Sequence, residues 1–378
     1  GAALPKLSVV MPVYRPNLTH LRAAVASVRA QIYPDWELCI ADDASPDETT
    51  YQSLKALAAD EPRIKLERRP HNGGISLATN SAAALAEGEF LAFLDQDDLL
   101  TPNALAEVAL HLAAHPHTDY LYTDDDKIDA AGKRHFAPQF KPDWSPELLL
   151  SYMYCSHLVV VRRALFETLS GCRHGFEGSQ DHDLALRATE QACQVAHIPQ
   201  LLYHWRAAPG SVALSGDAKA SAIDAGRRAV ADALARRGIQ ADCEQPDWAR
   251  RAKVGIYRPV FPDSGPSVTI IIPTADRPDL LRPCLESLRR TSYRDYEILI
   301  VDNGAAVAGG SDVEHLADAF RCRLLRQPKA ETGRFNFSRL INRAAAETSA
   351  DYLLLLNDDT TVIEPRWLSQ MMGYARLD

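Results

Sequence analysis

Residues 8–13 read SVVMPV, and residues 269–274 read TIIIPT. Each apolar run has a proline near its end and is followed by a stretch with helical periodicity. Similar segments recur in the same order at Tyr33–Leu38 and Tyr293–Ile298, at Asp42–Asp43 and Asp302–Asn303, and at Phe93–Asp98 and Leu355–Asp359. The offsets are 260 from position 33 to 293, 260 from 42 to 302 and 262 from 97 to 359. Four matches in one order indicate an internal repeat.

Each copy reads strand, helix, strand, helix, strand, and its strands are short apolar runs of the kind that parallel sheets bury. This alternation predicts an α/β sandwich with right-handed crossovers. Ligands bind such sheets beyond the carboxyl ends of the strands. Five acidic residues of the first copy follow strands and are expected in one cleft: Asp42, Asp43, Asp95, Asp97 and Asp98.

The two copies differ in length. The first continues well beyond Asp98, whereas the chain ends at Asp378, 19 residues after Asp359. We predict a complete domain over 1–245, a linker over 246–266 and half of a second domain over 267–378. Four prolines and a Gly-Pro step favour the linker.

The composition is that of an ordinary globular protein, with 46% hydrophobic and 24% charged residues. A formal net charge of -9 argues against nucleic acid as a partner. The seven cysteines are scattered and form no CxxC pair, which suits reduced thiols in a cytoplasm. No run reaches the roughly 18 apolar residues that a bilayer crossing needs. We therefore expect a cytoplasmic protein, with peripheral association at the inner face of the cytoplasmic membrane left open.

The segment Asp95-Gln96-Asp97-Asp98 directly follows the apolar run Phe90–Leu94. Carboxylate oxygens are hard ligands that suit a divalent cation such as Mn²⁺ or Mg²⁺. Side chains two residues apart in an extended segment point the same way, so Asp95 and Asp97 can share a ligand while Gln96 points elsewhere. The alternative is a solvated turn that caps a helix starting near Thr101. Recurrence of the acidic segment in the second copy favours the ligand site.

Two loops have both a functional and a structural interpretation. Asp42 and Asp43 end a strand and could accept hydrogen bonds from a nucleotide base and a ribose hydroxyl, or could cap a helix. His71-Asn72-Gly73-Gly74 offers a backbone that could approach a phosphate. It lacks the GxGxxG and GxxxxGK[ST] patterns and could equally be a plain turn.

The remaining candidates lie near the end of the first copy. In the sequence GSQDHDL (178–184), Asp181 could accept a proton at a helix start, or Asp181 and Asp183 could merely cap that helix. In LLYHWR (201–206), His204 could bind a metal and Arg206 could contact phosphate oxygens. The chain has 12 histidines, so residue type alone favours a structural role for His204.

The order of these motifs resembles the inverting family 2 glycosyltransferases, which have the GT-A fold. In particular it resembles the tandem-domain bacterial enzymes of O-antigen and related surface polysaccharide synthesis. The segments that carry the resemblance are Val10–Tyr14, Ala41–Ser45, Leu94–Asp98, Phe140–Pro146, Gln180–Asp183 and Tyr203–Arg206. The fold that the resemblance implies is a Rossmann-like mixed sheet flanked by helices, followed by a second, partial copy.

The resemblance implies a nucleotide-diphosphate sugar as donor. Pro12, Tyr14 and Asp42 would line the nucleoside pocket, with Asp42 facing the base. Asp95 would reach the ribose and the sugar. Arg206 would lie near the diphosphate.

The resemblance also implies the catalytic groups and the acceptor. Asp97 and His204 would bind Mn²⁺ or Mg²⁺ at the diphosphate, and Trp205 would contact the acceptor. Asp181 would be the general base of a single displacement that inverts the anomeric configuration. The acceptor would be a hydroxyl of a surface glycan or of a lipid-linked oligosaccharide.

Two positions depart from the family pattern. Gln180 stands where glutamate is usual, and Thr79 stands where many relatives have arginine, which puts a phosphate contact there in doubt. In the second copy, Asp302, Asp358 and Asp359 match the donor site, but no base segment follows.

Three other classes of protein are alternatives to this interpretation. A catalytically degenerate module that binds a nucleotide sugar or a glycan is the alternative that the Gln180 change supports. A nucleotidyltransferase should carry a glycine-rich, lysine-bearing loop after its first strand, and Arg15-Pro16-Asn17 matches this poorly. A dinucleotide oxidoreductase is disfavoured because no GxGxxG follows a predicted strand.

Overall fold

The computed structural model describes residues 4–207, 220–275, 277–304, 311–327 and 336–377. The chain folds into two compact units. The first comprises the residues up to Gly238 together with Asp242–Pro259, and the second comprises Ile239–Ala241 and the residues from Val260 onward. Within the described ranges, no helix is both long enough and apolar enough to span a membrane.

The first unit alternates strands and helices before it becomes richer in antiparallel pairs. Its strands are β1 (Leu7–Val13), β2 (Trp36–Asp42), β3 (Ile64–Arg68), β4 (Phe90–Phe93), β5 (Leu99–Leu100), β6 (Thr118–Asp129), β7 (His135–Gln139), β8 (Val159–Arg162) and β9 (Gln194–Ala207). Its helices are α1 (Leu18–Arg29), α2 (Glu48–Asp60), α3 (Ile75–Ala84), α4 (Ala104–Ala114), α5 (Pro146–Leu149), α6 (Arg163–Thr168), α7 (Gln180–Thr189) and α8 (Ala220–Arg236).

One mixed sheet organises this unit, in the order β3-β2-β1-β4-β8-β6-β9-β5, with β7 paired to β6. Strands β3, β2, β1 and β4 are parallel, whereas β8 runs antiparallel to both β4 and β6. Strands β1, β2 and β4 are largely buried because most of their residues are apolar on both faces, and every residue of β2 is buried, whereas the edge strand β3 is only partly buried. Their carboxyl ends bring Pro12, Asp42 and Asp95 to one edge of the sheet.

Helix α1 shows how the local sequence sets this arrangement. Asn17 ends the loop after β1, and its side-chain oxygen accepts hydrogen bonds from the backbone N–H groups of Thr19 and His20. Leu21, Ala24, Val25 and Val28 then recur at helical spacing and are fully buried in the core that β1 and β2 also form.

The stretch that we predicted as a linker, 246–266, contains regular structure. It contains α9 (Asp247–Ala252) and β11 (Arg258–Val260), and β11 pairs with β10 (Asp242–Glu244). Prolines are compatible with this arrangement because Pro246 directly precedes the helix, where no backbone N–H is required. The boundary between the two units, after Pro259, lies within the same stretch.

The second unit repeats the first half of the large sheet. Its elements are β12 (Val268–Thr274), α10 (Pro278–Leu288), β13 (Tyr296–Asp302), α11 (Asp312–Phe320), β14 (Arg323–Arg326), α12 (Phe337–Ala346), β15 (Tyr352–Leu355) and α13 (Trp367–Tyr374). The sheet order β14-β13-β12-β15 reproduces β3-β2-β1-β4, and all of these pairs are parallel. The register is the same as well, since Val13 lies opposite Asp42 and Thr274 lies opposite Asp302.

Side-chain contacts recur in the two units. Ser8 donates to Glu37 at 2.6 Å, and Thr269 donates to Glu297 at 3.0 Å. Beyond β15, the described residues contain no counterpart of β8, β6, β9 or α7. Leu353 on β15 is 44% exposed, whereas Leu91, at the matching place on β4, is fully buried and pairs with Val161 of β8.

Candidate functional site

A cavity of about 870 Å³ lies in the first unit. Pro12 at the end of β1 and Asp95 after β4 line it on the side of the parallel strands. Asp181 at the start of α7 and Trp205 on β9 line it from the later part of the domain. Four residues predicted for donor, base and acceptor roles, separated by up to 193 positions in sequence, therefore share one cavity.

Negative charge accumulates at this cavity. Burial, together with the neighbouring carboxylates of Asp97 and Asp181, raises the pKa of Asp95 to about 7. Burial also raises the pKa of Asp97 and that of Asp181. Such a group of carboxylates suits a bound cation, because a divalent ion would offset the repulsion that the carboxylates exert on one another.

Asp181 differs from the acids next to it in sequence. Asp183 is buried and accepts hydrogen bonds from Arg173 at 3.0 Å and from Arg187 at 2.9 Å, so its role is structural. His182 is buried too, with its Nε2 atom 2.7 Å from the carbonyl oxygen of Leu149. Asp181 faces the cavity and accepts only from the backbone N–H of His182 within the described part of the chain.

The model of one protein family, Glycosyl transferase family 2, matches residues 8–170 and 269–378. The chain belongs to glycosyl transferase family 2. The two matched segments are the two copies of the internal repeat, so the family pattern is present in both units.

Two relatives match nearly the whole chain. An uncharacterized protein of Sinorhizobium fredii, y4gI, is 42% identical over 98% of this chain and 41% of its own length. The O-antigen biosynthesis protein RfbC of Myxococcus xanthus is 39% identical over 98% of this chain and 28% of its own length. The chain thus spans less than half of the length of either relative.

The fold also matches a solved family structure. The crystal structure of S. aureus TarS 1-349 in complex with UDP-GlcNAc has a TM-score of 0.50 and 20% identity, covering 61% of this chain and 66% of that chain. At this identity the likeness concerns the fold alone. Together with the family match, it confirms the predicted GT-A fold, a mixed sheet flanked by helices.

Within this family 2 domain, the Asp95–Asp98 segment is tied to the loop after β1. The side-chain amide of Gln96 accepts from the backbone N–H of Tyr14 at 2.9 Å and donates to the carbonyl oxygen of Tyr14 at 3.2 Å. The sequence predicted that Gln96 points away from Asp95 and Asp97, and the structure shows its partner. The Tyr14 side chain is 39% exposed and is not part of the cavity lining described here.

Asp42 is fully buried at the end of β2. Its Oδ1 atom accepts from the backbone N–H of Ser45 at 3.1 Å. Its Oδ2 atom lies 3.4 Å from Nε of Arg68 but has no hydrogen-bond donor among the described residues. A buried carboxylate oxygen without a donor is costly, so a ligand N–H would satisfy it.

Asp43 organises the loop 71–74, whose backbone could approach a phosphate. Its carboxylate accepts from the backbone N–H groups of Gly73 at 3.0 Å and Gly74 at 2.8 Å, and from Asn72 and Arg69. These N–H groups are already used within the protein. The structure therefore favours the plain turn for residues 71–74.

Arg206, for which the resemblance implied a place near the diphosphate, is held by hydrogen bonds within the protein. Its side chain is buried, and the guanidinium donates to the carbonyl oxygens of Asp97 at 2.6 Å and Ala130 at 3.1 Å. Its backbone N–H donates to Asp98, which also accepts from the hydroxyl of Tyr203. Arg206 and Asp98 thus shape the acidic loop, because buried donors and acceptors must be paired within the protein.

His204 lies in a cluster that the sequence did not reveal. This cluster could hold a metal ion, because it offers three ligand atoms that all lie within 4.8 Å of one another, one each from Asp126, His135 and His204. Asp97, the predicted partner of His204, is not part of this group. A signal for Asp126 was present, since Asp124-Asp125-Asp126 follows the apolar Tyr120-Leu121-Tyr122, as other acidic segments follow strands.

The matching residues of the second unit are used internally. Asp302 is buried and accepts from the backbone N–H of Gly304 at 2.8 Å. Asp358 accepts from the hydroxyl of Thr274 at 2.7 Å, so the residue that matches Gln96 again ties the acidic loop to the first strand. Asp359, which matches Asp97, is exposed.

Proposed function

We propose that the first unit transfers a sugar from a nucleotide-diphosphate donor to a hydroxyl of a bacterial surface glycan, with inversion at the anomeric carbon. The observation that carries this proposal is the meeting of Asp95 and Asp181 in one cavity of a family 2 domain. One carboxylate follows a donor-side strand, and the other begins a helix of the later half. A donor and an acceptor can then be held side by side.

The donor nucleotide binds at the carboxyl ends of β1 and β2. Asp42 Oδ2, which lacks a donor within the described residues, accepts a ring N–H of the base. Uracil, thymine and guanine each offer such an N–H, whereas cytosine does not. Pro12 and Tyr14 flank the nucleoside, and Asp95 contacts the ribose and the sugar.

The Asp97 carboxylate and the His204 imidazole would hold Mn²⁺ or Mg²⁺. When bound, the ion supplies charge stabilisation to the departing diphosphate. The donor set fits because a carboxylate oxygen and an imidazole nitrogen both suit such an ion, and because a bound cation would offset the burial that raises the pKa of Asp97.

Asp181 is the general base. It accepts the proton of the acceptor hydroxyl as the acceptor oxygen bonds to the anomeric carbon and the bond from that carbon to the diphosphate oxygen breaks. Trp205 provides an aromatic surface at the acceptor side of the cavity. The nucleoside diphosphate departs from the face of the sugar opposite the attacking oxygen, so the configuration inverts and the sugar stays on the extended glycan.

The acceptor class follows from the relative RfbC, whose name assigns it to O-antigen biosynthesis. An acceptor of this kind is a glycan or a lipid-linked oligosaccharide assembled on the cytoplasmic side of the membrane. The protein then works in the cytoplasm, in peripheral contact with the inner membrane face.

One observation favours a second candidate, a module that binds the nucleotide sugar or glycan without turnover. Gln180 stands next to Asp181 in the cavity lining, where family members usually have glutamate. Donor binding without transfer and without donor hydrolysis would identify this module.

Calorimetric titration with UDP, GDP, TDP and CMP, each with Mn²⁺ and with a chelator, tests the proposal. We expect one of the three diphosphates to bind in a metal-dependent manner and CMP not to bind. Binding that is equally strong in the chelator would contradict the metal site. No binding of any nucleotide would contradict the transferase.

Gln96→Ala is expected to weaken binding of that diphosphate about threefold to tenfold. The substitution removes two hydrogen bonds that hold the Tyr14 loop against the acidic segment, each worth about 0.5 kcal/mol when partly exposed. Gln52→Ala, in an exposed pair on α2, is the control and should leave the affinity unchanged. Equal affinities in the two variants would show that the Gln96 contacts do not shape the donor site.

A further inference from the structure

Asp126 joins two histidines by hydrogen bonds. Its Oδ1 atom lies 2.6 Å from Nδ1 of His204, and its Oδ2 atom lies 2.9 Å from Nδ1 of His135. Asp126 and His204 are direct neighbours in the parallel register of β6 and β9, and His135 begins β7 on the other side of β6. The sheet therefore fixes all three side chains relative to one another.

The distances distinguish a hydrogen-bonded carboxylate from ligands of a common ion. Ligand atoms at roughly 2.1 Å from a tetrahedral or octahedral metal lie about 3 Å or more apart. The Asp126–His204 contact of 2.6 Å is clearly shorter, and the Asp126–His135 contact of 2.9 Å has the usual length of an N–H···O hydrogen bond. A carboxylate only accepts, so each histidine must carry its proton on Nδ1.

In this tautomer the Nε2 atom of His204 carries no proton, so its lone pair is available to a metal ion. The structure shows no hydrogen bond to that atom within the described ranges. Asp126 itself is only 6% exposed, which holds its orientation. Its two neighbours are occupied elsewhere, since Asp124 contacts His197 and Asp125 pairs with Lys141.

We propose that Asp126 is a positioning residue that locks His204 in the Nδ1–H tautomer and presents Nε2 to the divalent ion. The inference rests on the proposed function, in which His204 is a metal ligand. His135 is a second donor that fixes the Asp126 carboxylate and is not itself a ligand. A carboxylate behind a metal-binding histidine sets its orientation and raises its basicity.

Mn²⁺ affinity, measured by electron paramagnetic resonance of the free ion in the presence of the diphosphate that binds, tests this assignment. We expect Asp126→Asn to weaken Mn²⁺ binding about 10- to 100-fold, because the amide carries no charge and has a single acceptor oxygen, so it cannot accept from both histidines. His135→Ala should stay within about twofold of the original chain, since Asp126 still accepts from His204. His204→Ala should lose the ion.

A second measurement needs no variant of Asp126. The ¹⁵N shifts of the His204 imidazole in the metal-free protein should show a protonated Nδ1, and assignment follows from the spectrum of His204→Ala. A protonated Nε2 instead would overturn the proposal.

The affinity outcomes distinguish failure of the positioning role of Asp126 from failure of His204 as a metal ligand. Unchanged Mn²⁺ binding in Asp126→Asn, with binding lost in His204→Ala, overturns the positioning role alone. Equal losses in His135→Ala and His204→Ala would make the three residues the ion site itself and also overturn it. Unchanged binding in His204→Ala would refute the proposed metal ligand and the positioning role with it.

Discussion

Asp181→Asn is expected to lower the rate of sugar transfer about 10³-fold while donor binding is retained. General-base catalysis contributes about 10² to 10⁴ in rate, and an amide cannot accept the acceptor proton. The substitution keeps the shape of the side chain, and its oxygen can still accept from the backbone N–H of His182. Transfer is measured with sugar derivatives of the nucleoside diphosphate found by titration, and the affinity for that diphosphate is measured on the same sample.

Asp143→Asn is the matched control, because the same chemical change then falls on a side chain that is 98% exposed. It should leave the rate within about twofold. The pH profile gives a further check. Burial raises the pKa of Asp181, and the base acts when deprotonated, so the rate should fall on acidification from a higher pH than for an ordinary aspartate. Undiminished transfer by Asp181→Asn would refute the assignment.

The sequence predicted the donor half of the fold because the information there is local and repeated. The apolar runs at 8–13 and 269–274 are strands with the same partners and the same register. The cavity residues Pro12, Asp95 and Asp181 were accessible to sequence reasoning as well, since strand ends and helix starts lie at known edges of such a sheet. The repeat could not show the later strands, because β6, β8 and β9 have no second copy in the described residues.

The contacts that sequence reasoning could not predict join distant segments. Arg206, which was expected at the diphosphate, pairs with the carbonyl oxygens of Asp97 and Ala130, 109 and 76 positions away. Asp126 becomes a neighbour of His204 only through the parallel pairing of β6 and β9. Composition cannot reveal a register between strands that far apart, because it is fixed by the packing of the whole sheet.

Asp97→Ala is expected to lower metal-dependent transfer by at least about 10²-fold. Charge stabilisation by a bound cation is worth several kcal/mol, and each 1.36 kcal/mol corresponds to a tenfold change in rate. The acidic loop should keep its shape, because Asp98 still binds Tyr203 and the backbone N–H of Arg206. Transfer rates at increasing Mn²⁺ concentration measure the effect, and high Mn²⁺ should restore little activity.

The internal repeat supplies the control for this experiment. Asp359 follows the same strand in the second unit and is exposed, and the described residues there include no counterpart of β9 with its histidine. Asp359→Ala should therefore leave both the rate and its Mn²⁺ dependence unchanged. If Asp359→Ala instead abolished metal-dependent transfer and Asp97→Ala did not, the active donor site would lie in the second unit. Equal loss in both variants would mean that the two copies of the motif act together, and the proposal of a self-sufficient first unit would fail.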